Sequence, residues 1–331
     1  MATFIERDGD PQFPPPYEFP GVSILSFRLD AKQDRLMACC NAFLNIGSLR
    51  ERGFEYRPLL PAVDLEILHY PKMLAVDPGY AGKGFTTQRE VYFRFMVVKY
   101  ESFSGLLFPV EMALFFPFIL VDNPWSVIAG REVIGFPKNL AYFDLPGPDP
   151  YHITIATDVF STYSIATQLT RQPFLEIRSD LTATAKPAAM PSGNWPWGDI
   201  NLSAINPMLH GLVQQRQSVA VGPFSTVQLK QFRDAEDHRL ACYQALVESE
   251  FTAKNISPSA LHAVSITLHS FASLPIADIL GLSLGAGGVL QPKFQYKIQC
   301  DLSFEDRRNV FVRCGSDEPA SATPQWCCSI M

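Results

Sequence analysis

The chain has 331 residues, of which 47% are hydrophobic, 12% aromatic and 18% charged, and its net charge is −6. This length supports a sizeable core in one large domain or two ordinary ones, and the low charge excludes a wholly disordered chain. The acidic balance argues against a nucleic-acid-binding protein, which needs a basic face. No apolar run reaches the roughly 18 residues that span a bilayer.

The N-terminal region predicts an extended arm followed by a strand and a helix. Residues 1–21 are rich in proline and show little periodicity. Residues 1–8 lack the basic and apolar segments of a signal peptide, which favours a cytosolic protein with free thiols. The pattern of residues 22–29 suits a strand, and Asp30 is then placed as the N-cap of a helix. The apolar face of that helix holds Leu36, Met37, Cys40, Phe43 and Leu44.

The rest of the chain contains many strand patterns and few helical ones. Strands are predicted at residues 63–69, 91–98, 109–120, 151–159, 228–232, 240–248, 263–269 and 293–302. The single later helix candidate lies within residues 274–284. Few strands are separated by a helix long enough for a parallel crossover. The pattern therefore predicts an α+β protein, mainly antiparallel, with a barrel-like or sandwich-like arrangement of strands.

Composition divides the chain into one domain with an insertion and a tail. Residues 22–302 form the predicted single domain. Residues 186–223 are rich in proline, glycine, serine and asparagine, which predicts a long loop that is either disordered or a lid. Residues 303–331 turn polar and predict a flexible tail. The cysteines and histidines show no metal-binding spacing, so neither a metal nor a cofactor is expected.

The last four residues, Cys-Ser-Ile-Met from Cys328 to Met331, match the prenylation pattern with a terminal residue that favours farnesyl. Cys327 offers a palmitoylation site beside it, which would supply a second membrane signal. The alternative is coincidence, because four residues carry little information. If the pattern is used, the protein lies on a membrane surface of a eukaryotic cytosol.

If the two cysteines are lipidated, their replacement should change how the protein distributes between the membrane and soluble fractions of the cell. Replacing Cys328 with serine removes the first lipid and should release the protein wholly to the soluble fraction, whereas Cys327→Ser should give an intermediate distribution. Both variants and the unchanged protein are compared after expression in a eukaryotic host. Unchanged protein that is fully soluble and unlipidated would show that the pattern is a coincidence.

Residues 122–141 contain a lysine in apolar surroundings. Lys138 follows Pro137, whose ring restricts the backbone. Burial would favour the neutral amine over the ammonium ion, and a neutral amine attacks carbonyl carbon. The alternative is a lysine whose stem covers apolar surface while its amine reaches water, a common arrangement. The apolar neighbours are Val133, Ile134, Phe136, Leu140 and Ala141.

The run Gly-Arg-Glu-Val-Ile-Gly-Phe-Pro-Lys-Asn-Leu, residues 130–140, resembles the lysine motif of the acetoacetate decarboxylase family. In that family the first lysine after the proline forms a Schiff base with the substrate ketone, and this role maps onto Lys138. Residues 63–67 resemble the strand that bears an active-site glutamate, which maps onto Glu66. Residues 87–91 resemble a segment that bears a second one, which maps onto Glu90.

Further similarity at residues 27–30, 274–280 and from 293 onward extends the resemblance over residues 22–302, apart from the insertion. It implies a cone of strands, a homo-oligomer and a small keto substrate. The two glutamates would serve as acid–base groups or hold the lysine in place. The alternative interpretation is that each glutamate is a solvated or ion-paired carboxylate on a strand.

The sequence departs from the family pattern in two places. Family decarboxylases carry a second lysine directly after the first, and here that residue is Asn139. The arginine that would meet a substrate carboxylate has no counterpart near Pro20, and the nearest arginine is Arg28. Phe136, Asn139 and Arg131 are candidate pocket residues, with a local ion pair between Arg131 and its neighbour Glu132 as the alternative.

These residues predict a lyase that uses a Schiff-base lysine to decarboxylate a β-keto acid. The insertion and the aromatic residues favour a substrate larger than acetoacetate, such as a polyketide-derived ketone of secondary metabolism. The first alternative is an aldolase, dehydratase or cyclase that runs the same iminium chemistry without decarboxylation. The second is a non-catalytic protein that binds an apolar ligand.

Overall fold

A computed structural model describes residues 5, 14–145, 152–179, 205–218, 223–261 and 263–314. In chain order the strands are β1 Tyr17–Asp30, β2 Phe54–Pro58, β3 Ala62–Ala75, β4 Phe85–Phe103, β5 Leu106–Val121, β6 Lys138–Leu140, β7 Tyr142–Asp144, β8 His152–Val159, β9 Thr170–Ser179, β10 Phe224–Arg233, β11 Ala241–Ala260, β12 Val264–Leu268, β13 Val289–Leu290 and β14 Phe294–Cys314. The helices are α1 Gln33–Phe43, α2 Leu49–Arg52, α3 Pro124–Ala129, α4 His210–Ser218 and α5 Ile276–Leu280.

The larger sheet closes on itself. Its order is β2-β4-β3-β1-β14-β11-β10-β5-β6, and a further pairing of β4 with β5 completes a ring of strands. The pairings of β5 with β10 and with β6 are parallel, while the others in this sheet are antiparallel. A smaller sheet has the order β13-β12-β9-β8-β7. The predicted α+β fold, mainly antiparallel with a cone of strands and few helices, is confirmed.

Two hydrophobic clusters cover the two faces of the ring. On β4, Phe93 and Phe95 belong to one cluster, whereas Tyr92 and Met96 belong to the other, because successive side chains point to opposite faces. The first cluster is covered by α1, α5 and the smaller sheet. The second cluster is rich in aromatic side chains and surrounds the candidate site described below.

Several predicted boundaries are wrong, and three of them concern the ends of the domain and the first helix. Strand β1 begins at Tyr17 rather than 22, since Gly21 has a φ of 71° at a pairing irregularity that hides the alternation. Strand β14 runs to Cys314 rather than 302, because the chain keeps pairing with β11. Helix α1 begins at Gln33, and Asp30 is the last residue of β1, so Asp30 is no N-cap. Strands β2, β6, β7, β9 and β13 were not predicted, and Pro173 interrupts the pattern of β9.

Part of the predicted loop 186–223 is helical. Residues 207–209 form a 3₁₀ turn that leads into α4, and Leu209 and Val213 are buried in the second cluster. Residues 186–204 and 219–222, like Cys327 and Cys328, lie outside the described residues, so the lid and the lipid anchor stay predictions. Among the helices of the described ranges, none has the length and apolar character needed to cross a membrane.

Candidate active site

The segment that carries Lys138 is shaped by helix-capping residues. The Asn123 side chain accepts hydrogen bonds from the first backbone N–H groups of α3, and Pro124 occupies the first turn, where its missing N–H costs nothing. Helix α3 widens into a π-helical turn over residues 130–134. Gly135 ends this turn with a φ of 86°, and a Cβ there would lie 2.8 Å from the Lys230 backbone nitrogen. The chain then enters β6 at Lys138.

Lys138 is buried and its amine is held at two points. The residue is 8% exposed, and its Nζ donates to Glu90 Oε2 at 2.8 Å and to Ser126 Oγ at 2.9 Å. Ser126 lies on α3, while Glu90 lies on β4. The amine thus lies in a buried contact with one carboxylate and one hydroxyl.

Gly130 has no side chain, and the aliphatic part of the Lys138 side chain fills the space where a Cβ would lie. A Cβ at residue 130 would lie 2.7 Å from Lys138 Cδ and 3.0 Å from its Cε. The lysine side chain therefore packs directly on the backbone of the π-helical turn. The glycine of the motif is required by this contact, since its own φ is an ordinary −63°.

Gly130→Ala should reduce imine formation without unfolding the protein. The added methyl group pushes the lysine stem aside and draws its amine from Glu90 and Ser126, and a displacement of this size can cost about 100-fold in rate. The measurement is the rate of borohydride trapping on Lys138 with a ketone. Gly211→Ala is the control, because a Cβ there meets nothing within 4 Å. Equal trapping rates for the two variants would contradict the packing argument.

Glu90 is held by neutral donors as well as by Lys138. Gln88 Nε2 donates to Glu90 Oε2 at 3.2 Å, and the Tyr70 hydroxyl hydrogen-bonds the same carboxylate. Burial and the neighbouring Glu90 raise the pKa of Tyr70 well above its ordinary value, so the phenol stays protonated and donates. These contacts fix Glu90 beside the amine. Ser126, Gln88 and Tyr70 were missed by sequence analysis, because nothing local marks them.

Glu66 lies in a separate buried ion cluster. Its carboxylate accepts from Ser26 Oγ at 2.9 Å, from the Tyr92 hydroxyl and from Arg94 NH2 at 2.8 Å. Arg94 also pairs with Asp64 at 3.3 Å. Glu66 is fully buried and is absent from the described residues that line the Lys138 cavity. The structure thus places Glu90, and not Glu66, against the lysine.

The Arg28 guanidinium occupies the other side of Asp64, with its Nε 2.7 Å from Oδ1. Burial opposes the charged carboxylate, but Arg28 and Arg94 together lower the pKa of Asp64 below its ordinary range. Arg28 is thus engaged in this ion pair, and it is absent from the described residues lining the Lys138 cavity. It therefore does not replace the arginine missing near Pro20.

Glu66→Gln should destabilise the fold. The change leaves Arg94 with one carboxylate fewer at a position that water does not reach, and removal of one partner of a buried pair costs about 3 kcal/mol. Urea unfolding measures the difference in the free energy of unfolding. Glu18→Gln, at an exposed position of β1, should change it by less than about 0.5 kcal/mol. A stable Glu66→Gln protein would show that the ion cluster contributes little.

The three residues predicted to line the pocket lie in different places in the structure. Phe136 lines the Lys138 cavity, with its ring centroid 5.8 Å from Lys138 Nζ. Arg131 instead donates from NH1 to the Lys138 carbonyl oxygen at 3.2 Å, outside that cavity. Asn139 is exposed, since it follows Lys138 on a strand and points away from it. It is absent from the described residues that line the Lys138 cavity.

The cavity at Lys138 has a polar end and an aromatic body. Its volume is about 60 Å³, which is space for a few water molecules or a short ketone. Gln88, Glu90, Ser126 and Lys138 form part of the polar end. The aromatic lining consists of Tyr17, Phe19, Tyr70, Tyr92, Phe116, Phe136, Phe224, Phe251 and Phe304. Among the described residues, no group of three or more histidines, cysteines or carboxylates is placed to hold a metal ion.

Comparison with known proteins gives one family match. Residues 10–167 match the family described as acetoacetate decarboxylase (ADC), and this range includes Glu66, Glu90 and Lys138. No curated protein matches the sequence.

Two solved structures resemble the fold. The acetoacetate decarboxylase of Legionella pneumophila subsp. pneumophila has a TM-score of 0.53 and 16% identity, over 90% of this chain and 88% of that one. A second acetoacetate decarboxylase structure has a TM-score of 0.50 and 14% identity, over 91% of each chain. At these identities the likeness concerns the fold alone. The family model thus covers residues 10–167, which is just under half of the chain, and the solved structures show that the chain has the fold of acetoacetate decarboxylase.

Proposed function

We propose that this protein is a lyase that forms a Schiff base between Lys138 and a small keto substrate, with decarboxylation of a β-keto acid as the reaction. The observation that carries the proposal is the buried amine of Lys138, which lies 2.8 Å from a carboxylate at the polar end of an aromatic cavity. A desolvated lysine beside a proton acceptor has the two properties that a nucleophilic amine needs.

The steps can be assigned to groups in the cavity. Glu90 accepts a proton from the Lys138 ammonium, and the neutral amine attacks the ketone carbon. Glu90 returns the proton to the carbinolamine oxygen, which leaves as water and produces the iminium ion. The bond to the substrate carboxylate then breaks, its electron pair moves to the iminium nitrogen, and carbon dioxide leaves. Protonation of the resulting enamine and attack by water release the ketone and restore Lys138.

Ser126 and the aromatic walls would support these steps. The Ser126 hydroxyl accepts from the Lys138 amine and keeps it near Glu90. The apolar body favours loss of carbon dioxide, since a charged carboxylate is poorly solvated there and the product is neutral. Glu66 would act indirectly by positioning Tyr92 and Arg94, both of which line the cavity.

A second candidate function is supported by the charges at the site. The two cations of the cavity lining, Lys138 and Arg94, are each paired with a glutamate. A substrate carboxylate would thus meet little net positive charge. A neutral ketone suits this site, and the same iminium would then serve an aldol, dehydration or cyclisation step. A larger, polyketide-derived substrate remains a proposal supported by the aromatic lining, as do the homo-oligomer and a non-catalytic binding role.

Borohydride trapping tests the proposal. The protein is incubated with acetoacetate or with the short neutral ketone 2-butanone, reduced, digested and analysed by mass spectrometry, while carbon dioxide release is measured in parallel. An adduct on Lys138 with carbon dioxide release supports the decarboxylase. An adduct with the neutral ketone alone supports the second candidate. Reversible binding without any adduct supports a non-catalytic binding protein and contradicts Schiff-base chemistry.

A further inference from the structure

A second cavity, of about 390 Å³, lies across the sheet from the one that holds the Lys138 amine. Leu114 and Phe116 of β5 line the first cavity, whereas Phe115 and Pro117 line the second. The alternation of side chains along a strand places these pairs on opposite faces. Phe136 lines both cavities, so the two spaces meet at the residue two positions before Lys138.

The second cavity lies at a seam in the sheet, which is the part of β5 between Phe115 and Ile119 where neither β10 nor β6 pairs with it. The pairing of β10 with β5 ends at Val227 of β10 and Phe115 of β5. The pairing of β6 with β5 begins at Ile119 of β5. Pro117 lies in the interval and has no N–H to offer a neighbouring strand. The backbone pairing itself therefore leaves a gap beside Pro117, which is bounded at one end by the close contact of Gly135 with Lys230 of β10.

The polar groups of this cavity include one with no partner. Gln228 is 1% exposed, and its Nε2 has no hydrogen-bond partner among the described residues. Buried amide groups are nearly always paired, so an unpaired one in a cavity wall indicates a missing acceptor. Arg131 supplies a positive charge, and Glu132 adds a negative charge that disfavours polyanions. The apolar lining is Phe43, Phe115, Pro117, Val127, Ile128, Leu229, Phe232, Phe136 and Pro137.

We propose that this cavity binds a small monocarboxylate with an apolar body and thereby regulates Lys138. The carboxylate accepts from Gln228 and pairs with Arg131, while rings such as Phe43 and Phe232 cover the body. Arg131 NH1 donates to the Lys138 carbonyl oxygen at 3.2 Å. A bound carboxylate competes for this guanidinium and loosens the backbone that positions the nucleophile. The effect on Lys138 rests on the proposed function, but the binding does not.

Binding is tested with 4-fluorophenylacetate, observed by ¹⁹F NMR line broadening. Gln228→Leu removes the unpaired donor and should weaken binding at least fivefold. Gln88→Leu is the matched control, because Gln88 is a buried glutamine in the first cavity, and it should leave binding unchanged. Phe232→Ala, at a side chain that is 39% exposed, should also weaken binding and covers the case in which Gln228→Leu fails to fold.

Coupling is tested by the rate at which borohydride traps acetone on Lys138. Saturating 4-fluorophenylacetate should lower this rate at least twofold in the unchanged protein and leave it unaltered in Gln228→Leu. Absence of binding at 10 mM, or weakening by Gln88→Leu alone, would overturn the assignment of the site. Binding without any change in the trapping rate would overturn the regulation. Failure of trapping under all conditions would instead contradict the proposed function.

Discussion

Replacing Lys138 with arginine is expected to reduce turnover to below a few per cent while leaving the fold intact. Arginine keeps the positive charge that pairs with Glu90 at 2.8 Å, but its guanidinium is not deprotonated in proteins and cannot attack a carbonyl. The measurements are steady-state turnover with a keto substrate and borohydride trapping. Trapping should disappear completely, because no other amine replaces the nucleophile.

Lys99→Arg is the matched control for this change. Lys99 is also a buried lysine paired with a carboxylate, since its Nζ lies 3.0 Å from Glu248 Oε1, but it is absent from the described residues that line the Lys138 cavity. Its substitution should leave both turnover and trapping near the unchanged level. A Lys138→Arg protein that retains substantial turnover would remove Lys138 from the role of nucleophile and, with it, the proposed mechanism.

Replacing Glu90 with glutamine is expected to lower turnover by about 100-fold or more, which is the usual contribution of a positioned acid–base group. Glutamine preserves the size of the side chain and can still accept from the Lys138 amine, but it cannot take the proton. Imine formation should then depend on hydroxide, so the trapping rate should rise more steeply with pH than in the unchanged protein. Both rates are measured between pH 6 and 9.

Glu101→Gln provides the comparison for Glu90→Gln. Glu101 lies on the same strand, β4, at an exposed position near the hairpin, so the same change there should be silent. An unaltered pH profile for Glu90→Gln would show that the carboxylate only positions the amine. Comparable losses from Glu66→Gln, at unchanged stability, would reassign the acid–base role to the other glutamate.

Local pattern was sufficient to predict the strand-rich fold and the apolar surroundings of Lys138, whereas the nucleophilic role of this lysine came from the family resemblance and stays a prediction. A strand with one buried face is recognised by apolar and polar residues that alternate along the chain, as in residues 293–302. The environment of Lys138 is local as well, because Gly130, Phe136 and Pro137 lie within eight residues of it. Its burial on the Gly130 backbone thus follows from one short segment.

The partners of Lys138 were decided by the tertiary structure. Strand β6 pairs with β5, and β5 pairs with β4, which brings Glu90 within 2.8 Å of the amine. Glu66 lies on β3, one strand farther, opposite Tyr92 in the register. Neighbouring strands are separated by about 4.8 Å, so one strand decides which carboxylate reaches the lysine. Sequence analysis named both glutamates without choosing between them, because no local pattern specifies the order of strands in the sheet.

The separation along the chain between contacting residues explains what the sequence determined and what it left open. Elements set by near neighbours in the chain, such as the Asn123 cap, the Gly135 turn and the lysine motif, depend on backbone conformation over a few residues. The ion cluster of Glu66 and the seam beside Gln228 join residues that are far apart in sequence, through strand register and closure of the ring. Such contacts form only when the whole sheet has formed, and only the tertiary structure could decide them.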